Sequence, residues 1–397
     1  MRKKTDSDVT IIGAGMAGLT LGARLAQSGM DVAIIDREDP GAMATDAFDS
    51  RTVALSAGTR NILEPLDIWN DMVPAAEAIT SIDVQEGHDP FILNFNTADA
   101  QAPAFGWILP NSLVRRTLYD ACRRHGVTFI TGQTLEDIHT TDEDATAILS
   151  GGTAHHTRLL IGADGKNSRV RAILGIDVVN LDYKHVACVG LIAHEHPHNG
   201  LALERFYPSG PFAVLPFTDK DGQHRSAIVW SRHARDVKHT PVDLKDVQAV
   251  TEAIAPMLDE RYGETKALGK WAAFPLTLHH AKSMIGQRVA LISDAAHAIH
   301  PIAGQGLNLG MRDIDLLATE LPQAKSEGRD WGSDELLAAY QRARRFDVFT
   351  MVAATDLLTR LFGNRLPGLG RVRSLGLGIV EKLPPLKRFF MAKAMGE

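Results

Sequence analysis

The chain opens on a short apolar run, VTII at 9–12, followed by a glycine turn and a helix-like stretch to about Ser28 with Gly29 as its stop. A second apolar run, DVAIID at 31–36, ends in an acid. Strand, helix and strand in that order predict a β-α-β unit and a parallel sheet with helices packed on it. Helical spacing returns at 56–69, and Asn111 with Ser112 open another helix over about 113–125. VTFI at 127–130, a polar hairpin-like region at 140–154 and RLLIGADG at 158–165 come next, and the last of these is predicted to rejoin the first sheet.

From about 183 to 274 the rhythm changes. HVACVGLIA, LALERFY, PFAVLPF, SAIVW and KWAAFPL are alternating or apolar runs separated by Pro, Gly and charged turns. They predict a second domain built on a mainly antiparallel sheet, crossed by one helix near 243–261. QRVALISDAAH at 287–297 restores βα character, and the helix after Gly306 closes the first domain. The fold class is therefore α/β: a discontinuous Rossmann-like domain over 1–80, 105–180 and 276–335, with a domain over 81–104 and 181–275 inserted into it. A helical region over 336–397 completes the chain, broken at Gly363, at 367–370 and at Pro384-Pro385.

Length supports two domains, since 397 residues exceed the size at which one core stops growing. A net charge of -6 gives no global attraction to nucleic acid. Cys122 and Cys188 sit in isolated, mostly apolar contexts, as buried thiols do in a reducing compartment. No apolar run approaches the roughly 20 residues of a membrane span, and the basic start is too short for a secretory signal. The expectation is a cytoplasmic protein whose membrane contact is peripheral.

Gly13-Ala14-Gly15-Met16-Ala17-Gly18 is a dinucleotide fingerprint between a strand and a helix. Gly13 permits the tight turn, Gly15 lets backbone approach a pyrophosphate, and Gly18 allows close helix–strand packing. The helix N-terminus offers N–H groups to phosphate, and Asp36 at the next strand end suits ribose hydroxyls. The fingerprint by itself leaves FAD and NAD open.

Two later motifs carry a resemblance. The run at 161–171, IGADGKNSRVR, resembles the Asp-Gly motif of single-component aromatic hydroxylases. Ser293-Asp294-Ala295-Ala296-His297, with Pro301 and Gly304-Gln305-Gly306-Leu307-Asn308, resembles their Gly-Asp motif, with Ser293 where the family usually has glycine. SRTVALS at 50–56, DAAHAIHPIAGQGLNLGMRD at 294–313 and the terminal PPLKRFFMAKAMG narrow the resemblance to the FAD-dependent aromatic hydroxylases of ubiquinone biosynthesis, of para-hydroxybenzoate-hydroxylase-like fold.

The resemblance implies that FAD is the resident cofactor, with NADH or NADPH as transient electron donor. It implies a prenylated phenol as substrate, hydroxylated on its ring through a C4a-hydroperoxyflavin. Asp294 would bind the ribityl chain, while Pro301, Gly304, Gln305 and Gly306, with Leu307 and Asn308, would lie along the flavin ring as the reaction's loop. Asp164, Gly165, Arg51 and Asn111 match positions facing the cofactor, and Arg115 is a candidate for the phosphate region. No metal is expected: His297 and His300 lack further ligands at metal spacing and read as structural hydrogen bonders. The pairs His155-His156 and His279-His280 read as solvated loop or strand-edge residues, and Trp230, Trp271, Phe274 and Pro275 are candidates for lining an apolar pocket.

The C-terminal region carries Arg365, Arg371, Arg373, Lys382, Lys387, Arg388 and Lys393, with Phe389, Phe390 and Met391 beside the last of them. It fits docking on the inner face of the cell membrane or on proteins of a ubiquinone-biosynthesis complex, or plain packing on the core. A soluble aromatic substrate, or a flavin-binding scaffold without turnover, stay open as alternatives.

Overall fold

The computed structural model describes residues 5–46, 49, 51–87, 89, 92–298, 305–363 and 384–396. The strands are β1 (Ser7–Ile12), β2 (Val32–Asp36), β3 (Thr52–Ser56), β4 (Glu77–Ile79), β5 (Ser81–Glu86), β6 (Ile92–Asn96), β7 (Gly106–Pro110), β8 (Thr128–Thr131), β9 (Leu135–Thr140) and β10 (Ala145–Leu149). They continue as β11 (Ala154–Gly162), β12 (Val178–His194), β13 (Leu201–Tyr207), β14 (Gly210–Lys220), β15 (Gln223–His233), β16 (Thr265–Ala281), β17 (Ile285–Gly286), β18 (Val289–Leu291) and β19 (His297–Ala298). The principal helices are α1 (Met16–Gln27), α2 (Asn111–Arg124), α3 (Val247–Ile254), α4 (Gln305–Ser326), α5 (Asp334–Gly363) and α6 (Pro384–Met395).

The first sheet has the order β17-β18-β11-β1-β2-β8, with β10 paired to β11 and β9 to β10. β1 runs parallel to β2 and to β11, and β11 parallel to β18. Parallel pairing aligns strand ends: Ile12 lies beside Gly162, and Gly162 beside Leu291. Residues far apart in the chain, those just after 12, 36, 162 and 291, therefore emerge at one edge, where ligands of open α/β sheets bind. β1 and β2 are buried nearly throughout because the sheet is covered on both faces.

The second sheet has the order β19-β16-β12-β15-β14-β13-β5-β6. It is mainly antiparallel, as expected, with one parallel pair, β13 with β5, two strands that come from distant parts of the chain. One face packs Cys188, Ile192, Phe212 and Trp230 under α3. The other face meets the small sheet β3-β7-β4 and α6, burying Phe105, Ile108, Ala202, Phe206, Met391 and Met395.

Met391 and Met395 pack on the core with Phe390 alongside, so α6 is fastened by its apolar side while Arg388 stays exposed. Arg365, Arg371, Arg373 and Lys382 lie outside the described residues. No helix among the described residues is long and apolar enough to cross a membrane. Both cysteines are buried and free.

The histidine pairs depart from expectation. His279 and His280 sit inside β16, flanked by β12 on one side and β19 on the other, and His279 is only 3% exposed. His155 and His156 are half-buried in β11, with β10 beside them. Histidine reads as polar in the sequence, but here neighbouring strands cover it. The surroundings of His279, first burial and then the cations Arg171 and Lys166, hold its imidazole down at about 4.

Candidate cofactor and substrate site

The three fingerprint glycines do different work. Gly13 has φ +110, and a Cβ there would lie 2.5 Å from the Ala163 carbonyl oxygen. A Cβ on Gly18 would lie 1.9 Å from the carbonyl oxygen of Gly13. These two close the turn against α1 and the end of β11. Gly15 is the opposite case: nothing stands within 4 Å of its Cβ position, so the space in front of α1 is open. No side chain caps α1 and its first turn holds no acid, which leaves its positive end available to an anion. Asp36 closes the turn from the other side, its Oδ2 accepting from Ala14 N at 2.6 Å and its Oδ1 from Glu38 N at 2.9 Å.

Asp49 knots together three residues singled out above. It is 6% exposed and accepts two bonds from the Arg51 guanidinium at 2.7 Å each, and one from Asn111 Nδ2 at 2.9 Å. Arg115 approaches the same carboxylate at 3.9 Å. Burial raises the Asp49 carboxyl, but the hydrogen bonds from Arg51 and Asn111 outweigh it and hold the group at about 2. Arg51 also lies over the Phe274 ring at 4.9 Å, tying this knot to the second sheet.

A second knot supports Asp294. Ser293 is held at φ +53, a left-handed conformation in which a glycine would be unstrained. Two features accommodate the serine. Its N–H donates to Asp313 Oδ2 at 2.8 Å, and Gly310 on α4 leaves room where a Cβ would come 2.5 Å from Ser293 Oγ. Asp313 is fully buried, and it also accepts from His297 Nε2 at 2.8 Å and from Arg344 Nε at 2.6 Å. His297 thus has a structural partner. Burial raises the Asp313 carboxyl, and the opposing pull of His297 and Arg344 brings it below its ordinary value. Asp294 itself projects into the cleft, reachable by solvent but crowded by protein, and that crowding pushes its carboxyl up against the opposing pull of His297 and Lys166.

One cavity of about 930 Å³ joins these parts. It begins at Gly15 and Met16, passes Arg51, Asn111, Arg115 and Gly165, reaches Asp294 and Leu307, and ends on β12, β15 and β16. Trp271 and Phe274 border it, whereas Trp230 is buried in the core under α3. Gly13, Gly18, Asp36 and Asp164 stand behind its wall. Asp164 Oδ2 accepts from Arg169 N and Val170 N. Asn308 lies deeper and fastens α4 to β3, accepting from Ser56 N and Thr59 Oγ1 and donating to Ala54 O. Gly306 faces open space. Pro301, Gly304 and His300 lie outside the described residues, and of Gln305 only the backbone is described.

The donors and acceptors present fit an FAD. The open space before Gly15 admits a pyrophosphate, Asp294 offers a carboxylate to a polyol chain, and two buried acceptors, Asn111 Oδ1 and Asp164 Oδ1, have no hydrogen-bond partner among the described residues. Sequence reading missed Asp49, Asp313, Arg344 and Gly310. Only Asp49 had a signal, its place at the head of DSRTVALS two residues before Arg51.

Comparison with known proteins agrees with this geometry. Residues 6–355 match the family model described as FAD binding domain. The chain is 36% identical over 395 residues to the ubiquinone hydroxylase UbiL of Rhodospirillum rubrum, covering 98% of this chain and 90% of that one. It is 34% identical to the 3-demethoxyubiquinol 3-hydroxylase of Escherichia coli, covering 98% of each. Among solved structures, p-nitrophenol 4-monooxygenase PnpA of Pseudomonas putida superposes with a TM-score of 0.80 at 17% identity, over 99% of both chains, a likeness of fold.

Proposed function

We propose a reaction and a substrate class from one premise: the chain belongs to the FAD-binding-domain family and, within it, to the relatives of the ubiquinone-pathway hydroxylases. It is an FAD-dependent aromatic-ring hydroxylase that takes its electrons from NADH or NADPH. The substrate we infer is a phenol carrying a long prenyl chain, modified in a ubiquinone-type pathway.

The observation that carries the substrate reading is the shape and lining of the cavity's far half. Register orders it: Ala187 beside Phe274, then Val189 beside Ala272, then Leu191 beside Leu268. At about 3.3 Å per residue, Ala187 to Leu191 gives an apolar trough roughly 13 Å long. It starts where Arg51 meets Phe274, passes Lys270 at the register irregularity between Ala272 and Leu268, and ends toward Arg225. An aromatic head fits beside Asp294 and Leu307, with its chain laid along the strands.

Bound and reduced, FAD supplies the oxygen chemistry. The chain's own residues bind and orient. Gly15 and the start of α1, on the turn that Gly13 and Gly18 close, would receive the pyrophosphate, Asp36 the ribose, and Asp294 the ribityl hydroxyls. Arg51, Asn111 and Arg115, fixed by Asp49, line the cofactor's flank. Pro301, Gly304, Gln305 and Gly306 are the residues we propose for the flavin ring, to which backbone N–H groups at the head of α4 would offer stabilisation of negative charge. The apolar strands exclude water from the reacting ring. Arg388 on α6 offers a cation to an anionic membrane surface or to a partner protein of the pathway.

Chain length tests the reading. With the FAD-loaded protein, kcat/KM is expected to rise at least tenfold from an unprenylated phenol to its farnesyl derivative, since each buried CH₂ contributes about 0.8 kcal/mol. Equal kcat/KM for the two would remove the prenyl chain from the proposal and leave a soluble aromatic as the substrate.

A further inference from the structure

Midway along the trough β16 and β12 fall out of step. Between the pairs Val189–Ala272 and Leu191–Leu268, β12 has one residue, Gly190, where β16 has three, Gly269, Lys270 and Trp271. Extra residues of this kind bend a strand and re-aim a side chain, and they are common beside active sites. The local sequence builds the bulge. Gly269 sits at φ +59, a left-handed turn that costs glycine nothing. Trp271 is directed to the core under α3, with Cys188, Phe212 and Trp230. Its ring stands where position 190 would carry a side chain, since a Cβ there would lie 2.3 Å from the indole. Lys270, between the two, is left bordering the cavity.

Lys270 is exposed, and among the described residues it has no hydrogen bond and no ion pair. Arg225 is the other cation that these strands bring to the cavity, and it is engaged. Its Nε donates to Thr218 O at 2.8 Å, and its guanidinium lies over the Phe217 ring at 4.8 Å. Lys266, exposed on β16 beside Ala193, does not border the cavity. Around Lys270 the trough is walled by Val189, Leu191, Leu268 and Ala272, none of which offers a polar side chain. Its ammonium is therefore the free charged contact for whatever lies in this stretch.

We infer that Lys270 anchors the substrate by its phenolic oxygen, held in the ionised form; this rests on the hydroxylase reading above. The substrate's connectivity gives the placement. In a phenol prenylated on the carbon next to the oxygen, a chain that runs down the trough carries the oxygen in beside it. That edge of the ring then faces Lys270, and the opposite edge faces Asp294 and Leu307. Lys270 starts level with Gly190, three residues or about 10 Å from Ala187. Its flexible four-carbon stem can reach back toward the ring while lying along the prenyl chain. A cation against a phenolic oxygen forms a charge-assisted hydrogen bond and favours the phenolate. The other charged groups bordering the cavity are Asp46, Arg51, Arg115, Arg225 and Asp294, and they are the same in wild type and in the variants below.

The test measures binding to the full FAD-loaded protein, by perturbation of the flavin spectrum, for 2-farnesylphenol and for its methyl ether, 2-farnesylanisole. Lys270→Met is expected to weaken the phenol about tenfold and to leave the ether unchanged. Lys270→Arg should restore most of the phenol's affinity, and Lys266→Met should affect neither ligand. A second readout uses 2-farnesyl-4-nitrophenol, whose phenolate absorbs visible light. Its ionisation midpoint on the wild type should lie about one pH unit below that on Lys270→Met. FAD content and melting temperature should be the same in all four proteins. Equal affinity of wild type and Lys270→Met for the phenol would overturn the assignment. So would equal losses for phenol and ether, which would mark a packing role for the bulge. A wild type that binds FAD but neither farnesyl ligand would instead sink the prenylated-phenol reading, and this inference with it.

Discussion

One methyl group at Gly15 is expected to strip the protein of most of its FAD while leaving the fold intact. The Gly15 backbone sits at φ -69, a conformation open to any residue, and no atom lies within 4 Å of the added Cβ. Alanine is therefore free to fold there. The methyl group occupies the space through which a pyrophosphate approaches the head of α1. Overpacking of this kind costs about 1–3 kcal/mol, so FAD affinity should fall roughly 5- to 150-fold. Gly18→Ala supplies the contrast. Its Cβ would stand 1.9 Å from the Gly13 carbonyl oxygen, so the turn itself must open and both stability and flavin are lost. Flavin absorbance and melting temperature, measured together, separate the two. If Gly15→Ala kept wild-type FAD affinity, the pyrophosphate would not pass where the glycine turn implies.

The largest loss of stability is expected at Asp313. Asp313→Ala leaves the buried Arg344 and His297 without their shared acceptor and releases the N–H of Ser293 from its left-handed position. Removing one partner of a buried pair costs about 3–5 kcal/mol, a fall in melting temperature on the order of 5–10 °C for a protein of this size. The second contact of Arg344, with Asp347 Oδ2 at 2.5 Å, places the effect toward the lower end. The folded-state carboxyl is depressed below its ordinary value. Its contribution is therefore fully present above the unfolded value near pH 4 and is lost as pH falls through the folded one. The gap between wild type and variant should accordingly narrow only in acid. A gap that stayed constant down to the lowest pH at which the fold survives would mean that the carboxylate is not ionised in the folded protein.

Much of this site was legible because it depends on local rules. Gly13, Gly15 and Gly18 sit between a strand and a helix, and Asp36 and Asp294 each follow a short apolar strand. Parallel pairing then collects the strand ends at one edge without further information. What escaped depends on pairings across the chain. Asp49 reaches Asn111 62 residues away, and Arg344 reaches Asp313 31 residues away; neither partner marks itself by spacing. Gly310 exists to clear Ser293, a relation visible only once α4 is packed against the strand end. His279 looked solvated because polarity alone does not reveal a strand covered on both edges. The parallel pairing of β5 with β13 was hidden for the same reason, since its register is set by two segments 120 positions apart, Ser81 and Leu201.

The central claim is that this chain, loaded with FAD, places one oxygen atom on an aromatic ring. Its most direct test is anaerobic reduction by NADH or NADPH, followed by ¹⁸O₂ and 2-farnesylphenol, with mass spectrometry of the product. The predicted result is a phenol heavier by one ¹⁸O atom on the ring, formed in proportion to flavin reoxidised. Flavin reoxidation that yields only peroxide across short- and long-chain phenols alike, with no label in any ring, would contradict it.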